Sequence, residues 1–412
     1  MTTQGIIACA IFIITVILLI WKPIHPILIG TLVPASLVIF KLIDAKTAYS
    51  EFANTTIVFF MALLVVGEAF FVTGLADYLG EKIIGLIGKT ERGLILGTGI
   101  VAGGLSAFLN DTGTTGCLIP IVSSMSEKTK VPKSKLLMAL AYFSSLGGTI
   151  TLIGTTPHIL ANGILAENGL REIEFFEYTK IGLPLLFIGM IYMYLFGMKL
   201  LPNKDIEVSK KSLREKNPKK MLVVSLIFVF VVVSMATKIV PMHIAAVLGA
   251  ALVVLTNCIT IEQAVNSFSV TTLFLVGGIF PLSTALTNSG AAQYFIERVQ
   301  PLLIGKPGFI VVAGIVLIQL VATQFLLNSS ATVLVLPIAI LLCKAGGVDP
   351  IAGAMAVAVS ASGVFVTPFG TGPNLLVWEA GGYEVKDYAK CGLPLLVLFW
   401  IFTSILITIF YL

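Results

Sequence analysis

The sequence is poor in charge, cysteine and histidine. Only 11% of its 412 residues are charged, whereas an ordinary soluble domain carries about 25%. Its five cysteines stand singly in apolar surroundings, without a CxxC pair or a cluster of histidines, so we expect neither a zinc site nor a disulfide framework. A mean hydropathy of +1.02 instead indicates a protein of the lipid bilayer.

Long apolar runs fill most of the chain. The run at 5–21 has no basic segment before it and no small-residue cleavage site, so we interpret it as a retained span and not as a signal peptide. Runs that can cross about 30 Å of hydrocarbon lie near 5–21, 25–43, 55–74, 136–166, 181–202, 221–239, 243–258, 270–288, 351–378 and 391–411. The pattern predicts a multi-pass protein of the cytoplasmic membrane.

Two further apolar runs, 92–127 and 308–343, are each interrupted by a polar tip. The tips read NDTGTT at 110–115 and NSSAT at 328–332. Polar backbone is tolerated at membrane depth only where protein buries it or where it lines a watery cavity. We therefore predict a re-entrant hairpin in each run.

The chain repeats itself, which predicts two related halves, 1–202 and 221–412. Three pairs of segments align: FLNDTGTTGCLIPI with FLLNSSATVLVLPI, GTTPH with GTGPN, and YTKIGLPLL with YAKCGLPLL, which are 108–121 with 325–338, 154–158 with 370–374, and 178–186 with 388–396. The linker between the halves, 203–220, is polar and basic and should be cytoplasmic.

Charge distribution predicts how the halves lie in the membrane. Five spans in each half invert the second half relative to the first, and most of the lysine and arginine then falls on the side of the linker. The net charge of +5 is thus explained by topology, not by a nucleic-acid surface. We predict an all-α polytopic fold of two inverted repeats, with about ten spans, two re-entrant hairpins, two broken helices, and interfacial helices at 75–89 and 289–305.

The broken helices are predicted at the repeated Gly-Thr-x-Pro segments within 136–166 and 351–378. Pro157 and Pro373 lack the N–H that continues a helix, while Gly154 and Gly370 permit unusual backbone angles. Inverted repeats with interrupted helices are the arrangement by which secondary transporters hold substrate and ions near the midplane. We therefore expect the two breaks and the two hairpin tips to form one site.

Four titratable residues near the predicted site have more than one interpretation. An acidic side chain at membrane depth is costly and usually marks an ion or proton path, which favours a functional Asp111. Glu68 aligns with Gly278 and is equally compatible with function and with a structural hydrogen bond. His158, opposite Asn374, is compatible with a structural role or a ligand or proton role, and Glu379 is expected to be solvated.

At these residues the sequence resembles the ion transporter superfamily, which includes divalent anion:sodium symporters, citrate-type carriers, arsenite permeases and a class of sodium/proton antiporters. In the symporters each tip carries Ser-Asn-Thr and each broken helix carries Thr-Pro-Pro-Asn. The corresponding segments here are NDT at 110–112, LNS at 327–329, TTPH at 155–158 and TGPN at 371–374. The resemblance extends over nearly the whole chain and implies a homodimer working by an elevator-like motion.

Roles for individual residues follow from this resemblance. It implies substrate contacts from Asp111, Thr112, Asn328 and Ser329. It also implies one sodium ion near Asn110, Asp111 and Thr155, and a second near Asn328, Thr371 and Pro373. No other cofactor is expected.

The departures from the symporter pattern keep two transport functions open. The leading hypothesis is sodium-coupled symport of a small inorganic or organic anion such as a dicarboxylate, citrate or sulfate, with sodium neutralising Asp111. The alternative is a cation/proton antiporter or arsenite-type exporter that uses Asp111 with Glu68 or His158. An enzyme is not expected, because His158 and the unpaired Asp111 make a poor nucleophile and base pair, and a channel does not need inverted broken helices.

Overall fold

The computed structural model describes residues 2–21, 23–87, 90–204, 217–237, 239–303 and 305–412, and this described part contains helices and no strand. Most of the predicted linker 203–220 and the side chain of Glu379 lie outside the described residues. The helices of the first half are α1 (Thr3–Trp21), α2 (Pro26–Ile39), α3 (Ala45–Ser50), α4 (Thr55–Val72), α5 (Leu75–Ile87), α6 (Glu91–Ser106), α7 (Asp111–Thr129), α8 (Lys133–Gly148), α9 (Thr156–Glu167), α10 (Thr179–Tyr192) and the short α11 (Met198–Leu200).

The second half repeats this succession. Its helices are α12 (Pro218–Thr237), α13 (Met242–Leu255), α14 (Ile261–Asn266), α15 (Val270–Asn288), α16 (Ala291–Leu303), α17 (Gly308–Phe325), α18 (Asn328–Gly346), α19 (Pro350–Ser360), α20 (Gly372–Gly381) and α21 (Val385–Tyr411). Thus α12 to α21 correspond in order and type to α1 to α10. The opposite orientation of the halves across a membrane stays a prediction.

Apolar helices dominate the fold, as the sequence predicts. By length and composition, six described helical segments can cross a bilayer: Ala45–Val72, Thr179–Leu200, Pro218–Thr237, Gly308–Phe325, Asn328–Gly346 and Val385–Tyr411. Shorter apolar helices lie at Thr3–Leu19, Pro26–Ile39, Met242–Leu255 and Pro350–Ser360, and the chain bends by 71° between Leu273–Asn288 and Ala291–Leu303. The prediction of an all-α polytopic membrane protein is confirmed.

The helices form two groups, which we call the frame and the core. The frame comprises α1 to α4 and α12 to α15. In it, α2 packs on α15 and α13 packs on α4, so each of these helices has its partner in the other half. In the core, α6 to α10 pack with α17 to α21, and α10 lies against α21. Helices α5 and α16 contact both groups, α5 through α4, α6 and α7, and α16 through α1, α15 and α18.

Helices α2 and α15 of the frame cross closely at Gly30 and Gly278. A Cβ atom on Gly278 would overlap the backbone carbonyl of Gly30, and one on Gly30 would overlap that of Phe274. Because backbone lies against backbone, no side-chain rotation can relieve an added methyl group. The crossing therefore requires glycine at both positions.

We predict that Gly278→Ala destabilises the fold by about 1 to 3 kcal/mol, since overpacking forces the two helices apart. The measurement is the thermal unfolding midpoint of the purified protein in detergent. Gly104→Ala is the matched control, because Gly104 is exposed on α6 and a Cβ atom there meets no neighbour. Equal midpoints for the two variants would contradict the assigned crossing.

The loop between α9 and α10 is tied to the C-terminal helix through Glu177. The guanidinium of Arg171 donates two hydrogen bonds to its carboxylate, at 2.9 and 3.0 Å, and the Tyr411 hydroxyl donates a third at 2.9 Å. The amide of Glu174 donates a fourth at 3.0 Å. Burial acts to raise the pKa of Glu177, but these donors outweigh it and lower the pKa from 4.5 to about 2.

We predict that Glu177→Gln lowers the stability near neutral pH by about 1 to 2 kcal/mol, a value reduced by the exposure of Arg171. The lowered pKa means that the carboxylate contributes fully above pH 4.5, and that its contribution is lost as the pH falls through about 2. Unfolding midpoints of the variant and the wild type should therefore converge in acid. Glu172→Gln, an exposed neighbour, should match the wild type at every pH.

Candidate functional site

The site is built where two hairpin tips meet two broken helices. The tips join α6 to α7 and α17 to α18, and the breaks separate α8 from α9 and α19 from α20. The amide of Asp111 donates to the carbonyl of Gly154 at 3.3 Å, and the amide of Asn328 donates to the carbonyl of Gly370 at 2.8 Å. These bonds join equivalent residues of the repeat, so each tip is fastened to the break of its own half.

Hydroxyl groups stabilise the same junction in both halves. Thr151 donates to the carbonyl of Ala107, and its repeat counterpart Thr367 donates to the carbonyl of Gln324 at 2.6 Å. These bonds satisfy carbonyl groups that the ends of α6 and α17 leave without a helical partner. The tips are consequently held by the residues that interrupt the neighbouring helix.

His158 and Asn374 occupy equivalent places in the two breaks. His158 Nδ1 lies 2.8 Å from the carbonyl of Thr151, and Asn374 Nδ2 donates to that of Thr367 at 2.9 Å. The ring of His158 is fully buried and stacks on Tyr178 with centroids 3.8 Å apart. Since a carbonyl only accepts, Nδ1 carries the proton, and Nε2 has no partner in the described structure.

The crossed contacts of the repeat bring the two tips together. Helix α7 packs on α20, and α18 packs on α9. The contact of α7 with α20 is close, because a Cβ atom on Gly372 would overlap the Thr112 side chain. Two tips and the first turn of a broken helix thus surround one cavity.

This central cavity has a volume of about 420 Å³. Its walls combine hydroxyl, amide and carboxyl groups with apolar and aromatic side chains. The polar lining residues are Glu68, Asn110, Asp111, Thr112, Thr156, Ser267, Ser269, Thr271, Asn328, Ser329 and Ser330, and the aromatic ones are Phe60, Phe71, Phe108 and Phe228.

The structure brings six of the predicted site residues to the cavity wall and leaves four behind it. Those on the wall are Glu68, Asn110, Asp111, Thr112, Asn328 and Ser329, and those behind it are Thr155, His158, Thr371 and Pro373. Thr155 still reaches the site, because its hydroxyl donates to Asp111 Oδ2 at 3.3 Å. The roles predicted for all ten residues stay predictions.

Sequence reasoning did not single out Ser330, Thr156, Ser267, Ser269 and Thr271. Ser330 and Thr156 belong to motifs already noted, at the second tip and the first break. The other three belong to the segment SFSVTT, 267–272, in which Ser267 and Ser269 precede α15 and Thr271 lies in its first turn. The hydroxyl-rich start of an apolar span was the signal that could have identified them.

The two tips differ chemically. At the first, the Asn110 side chain caps α7 by accepting from the amides of Thr112 and Gly113, at 2.9 and 3.4 Å. Asp111, only 3% exposed, adds a carboxylate whose Oδ1 accepts from the Thr112 amide at 2.7 Å. At the second, Leu327 supplies no side-chain cap to α18, and the neutral side-chain oxygen of Asn328 accepts from the Ser329 amide at 2.8 Å. One tip therefore presents negative charge, and the other presents the positive end of a helix dipole.

Buried oxygen atoms without partners lie behind the second tip. In the described structure, neither Thr371 Oγ1 nor Asn374 Oδ1 has a hydrogen-bond partner. Both atoms are buried, and leaving such groups unpaired is costly. Hydroxyl and amide oxygens are suitable ligands for a hard cation such as sodium.

Comparisons with known proteins place this geometry in context. A model of the citrate transporter family matches residues 16–333. An uncharacterized transporter of Synechocystis is 20% identical over 98% of this chain and 96% of its own length. A sodium-dependent dicarboxylate transporter of Staphylococcus aureus, SdcS, is 24% identical over 85% of this chain and 74% of its own.

A solved structure shares the fold. The crystal structure of the YdaH transporter of Alcanivorax borkumensis covers 94% of this chain, which covers 98% of that one, with a TM-score of 0.71. The sequence identity is 14%, so the likeness concerns the fold alone.

We predict that His158→Asn keeps the fold and the pH dependence of transport, because asparagine makes the equivalent bond in the other half. His158→Ala should lower stability by about 1 to 3 kcal/mol, since the Thr151 carbonyl loses this donor. Unfolding midpoints and the pH profile of uptake into proteoliposomes measure both effects. A folded His158→Asn variant with an altered pH profile would assign a proton-carrying role to His158.

Proposed function

Because the chain belongs to the citrate transporter family, we propose that this secondary transporter is a sodium-coupled symporter of a small anion, a dicarboxylate, citrate or sulfate, in the cytoplasmic membrane. The observation that carries the proposal is the chemical difference between the two tips. An acidic tip suits a cation, and a neutral tip at a helix N-terminus suits an anion. Both open into one cavity, so the two ions can bind side by side.

The first cation site is proposed at Asn110, Asp111 and Thr155. The Asp111 carboxylate is buried and accepts hydrogen bonds only from neutral amide and hydroxyl groups among the described residues. An uncompensated buried charge is unfavourable, and a bound sodium ion supplies the compensation. Neutralising Asp111 also removes its repulsion of an incoming anion, which makes anion binding depend on sodium.

The second cation site is proposed at Asn328, Thr371 and Pro373. The unpartnered Thr371 hydroxyl lies in the break to which Asn328 is fastened. Sodium bound there brings positive charge to the second tip. The anion would then contact Thr112, Ser329 and the first turn of α18.

Other support comes from a relative and from the division into frame and core. SdcS, which is similar over most of this chain, is named as a sodium-dependent dicarboxylate transporter. The two most extensive packings between the halves, α2 on α15 and α4 on α13, lie in the frame, while the core contains the tips and breaks. A core that moves against a fixed frame is an elevator mechanism, and a homodimer would anchor that frame.

A second candidate, a cation/proton antiporter or arsenite-type exporter, is favoured by the charge of the cavity. Glu68 on the frame and Asp111 on the core both line it, while its described lining includes no lysine, arginine or histidine. Two carboxyl groups can exchange protons for a cation without any anion. The two candidates differ in whether an anion adds to the effect of sodium.

We predict that sodium raises the unfolding midpoint of the purified protein and that one anion among succinate, citrate, malate and sulfate raises it further only with sodium, because ligands stabilise the state that binds them. Asp111→Asn should abolish the sodium response. Asp77→Asn is the matched control, since Asp77 is an equally buried carboxyl group outside the cavity.

If sodium or a change of pH alone raises the unfolding midpoint and no anion raises it further, the symporter is rejected in favour of the antiporter. Counter-transport of sodium and protons in proteoliposomes then tests that second function.

A further inference from the structure

A second cavity, of about 470 Å³, lies close to the central one. It is lined by polar and apolar residues from α4, the loop after α9, and the ends of α12 and α13. The lining residues are Thr55, Thr56, Phe59, Leu152, Ile159, Asn162, Glu172, Ile173, Glu174, Phe175, Met235, Val240, Pro241, Met242 and His243. Among the described residues, Ile159 is the only one that lines both cavities.

Three helices place the two cavities at successive levels of the molecule. Along α4, Thr55, Thr56 and Phe59 line the second cavity, and the residues that line the central one lie between Phe60 and Phe71. Along α12, Phe228 and Val231 face the central cavity, and Met235 faces the second. Helix α9 shows the same order as α12 and the reverse of α4, with Thr156 at the central cavity and Asn162 at the second. The cavities therefore follow one another along a common axis.

The boundary between the cavities, which we call the barrier, lies where residues adjacent in the chain line different cavities. Phe60 and Ile153 line the central cavity, while their chain neighbours Phe59 and Leu152 line the second. These four side chains and Ile159 are apolar and at most 7% exposed. An apolar layer of this kind hinders the passage of ions without closing the path with backbone.

We propose that the two cavities are the two ends of one path for the transported solute, and that Ile159 is the side chain that closes it. Ile159 lies on α9, three residues after Thr156 of the central cavity, and thus on the core. Helix α9 packs on α4 of the frame, so Ile159 lies at the boundary between core and frame. A relative movement of core and frame would shift this closure together with the tips.

The charged residues along the path indicate which ion should be used to test it. Glu68 and Asp111 line one cavity, and Glu172, Glu174 and His243 line the other. Acidic walls concentrate small cations. Sodium is therefore the ion expected to pass first when the barrier is opened.

The test is passive sodium flux from proteoliposomes without any transported anion. Ile159→Ala should raise this flux above the wild-type value and make it proportional to sodium concentration, because the apolar closure is removed. Leu160→Ala is the matched control: Leu160 is the next residue of α9, is 1% exposed and lines neither cavity. A folded Ile159→Ala variant with wild-type flux would overturn the proposal.

A second variant covers the case in which Ile159→Ala does not fold. Ile159→Cys, a smaller loss of volume, should react with a charged, membrane-impermeant thiol reagent added to either side, whereas Leu160→Cys and the five native cysteines give the background. Reaction from one side only would overturn the proposal. Neither readout requires transport of an anion, so this inference can fail while the proposed symport stands, and the reverse.

Discussion

The whole arrangement depends on satisfying backbone groups that two interrupted helices release inside an apolar protein. Each break frees carbonyl and amide groups that no water of the bilayer can reach. The structure pairs them with the hairpin tips, through the Asp111 amide with Gly154 and the Asn328 amide with Gly370. The same hydrogen bonds that pair the released backbone groups therefore also bring the polar side chains of the tips and breaks to one cavity.

The sequence predicted those parts that local chemistry determines. Proline and glycine in the Gly-Thr-x-Pro segments fixed the two breaks, polar residues within apolar runs fixed the two tips, and the repeat indicated that they meet. The equivalence of His158 and Asn374 was visible as an alignment. The alignment does not show that both side chains bond to an equivalent carbonyl, that of Thr151 for His158 and that of Thr367 for Asn374.

What could not be predicted depends on packing between distant segments. The crossing of Gly30 with Gly278 requires knowing that α2 lies against α15, and single glycines in apolar spans are too common to indicate it. In the same way, Ile159 is one of many isoleucines, and only the cavities on its two sides distinguish it. Glu68 stands out in the sequence as a charge in an apolar span, but only the fold brings it to the wall of the cavity that Asp111 also lines.

The reciprocal packing of the frame has a consequence for biosynthesis. Helix α2 finds its partner α15, and α4 finds α13, only in the other half of the chain. Until the second half has been synthesised, the face of α2 that carries Gly30 has no α15 to pack against. The frame is thus completed late, by an interlocking of both halves, and a chain interrupted at the linker would present the insertion machinery with two incomplete surfaces rather than one finished domain.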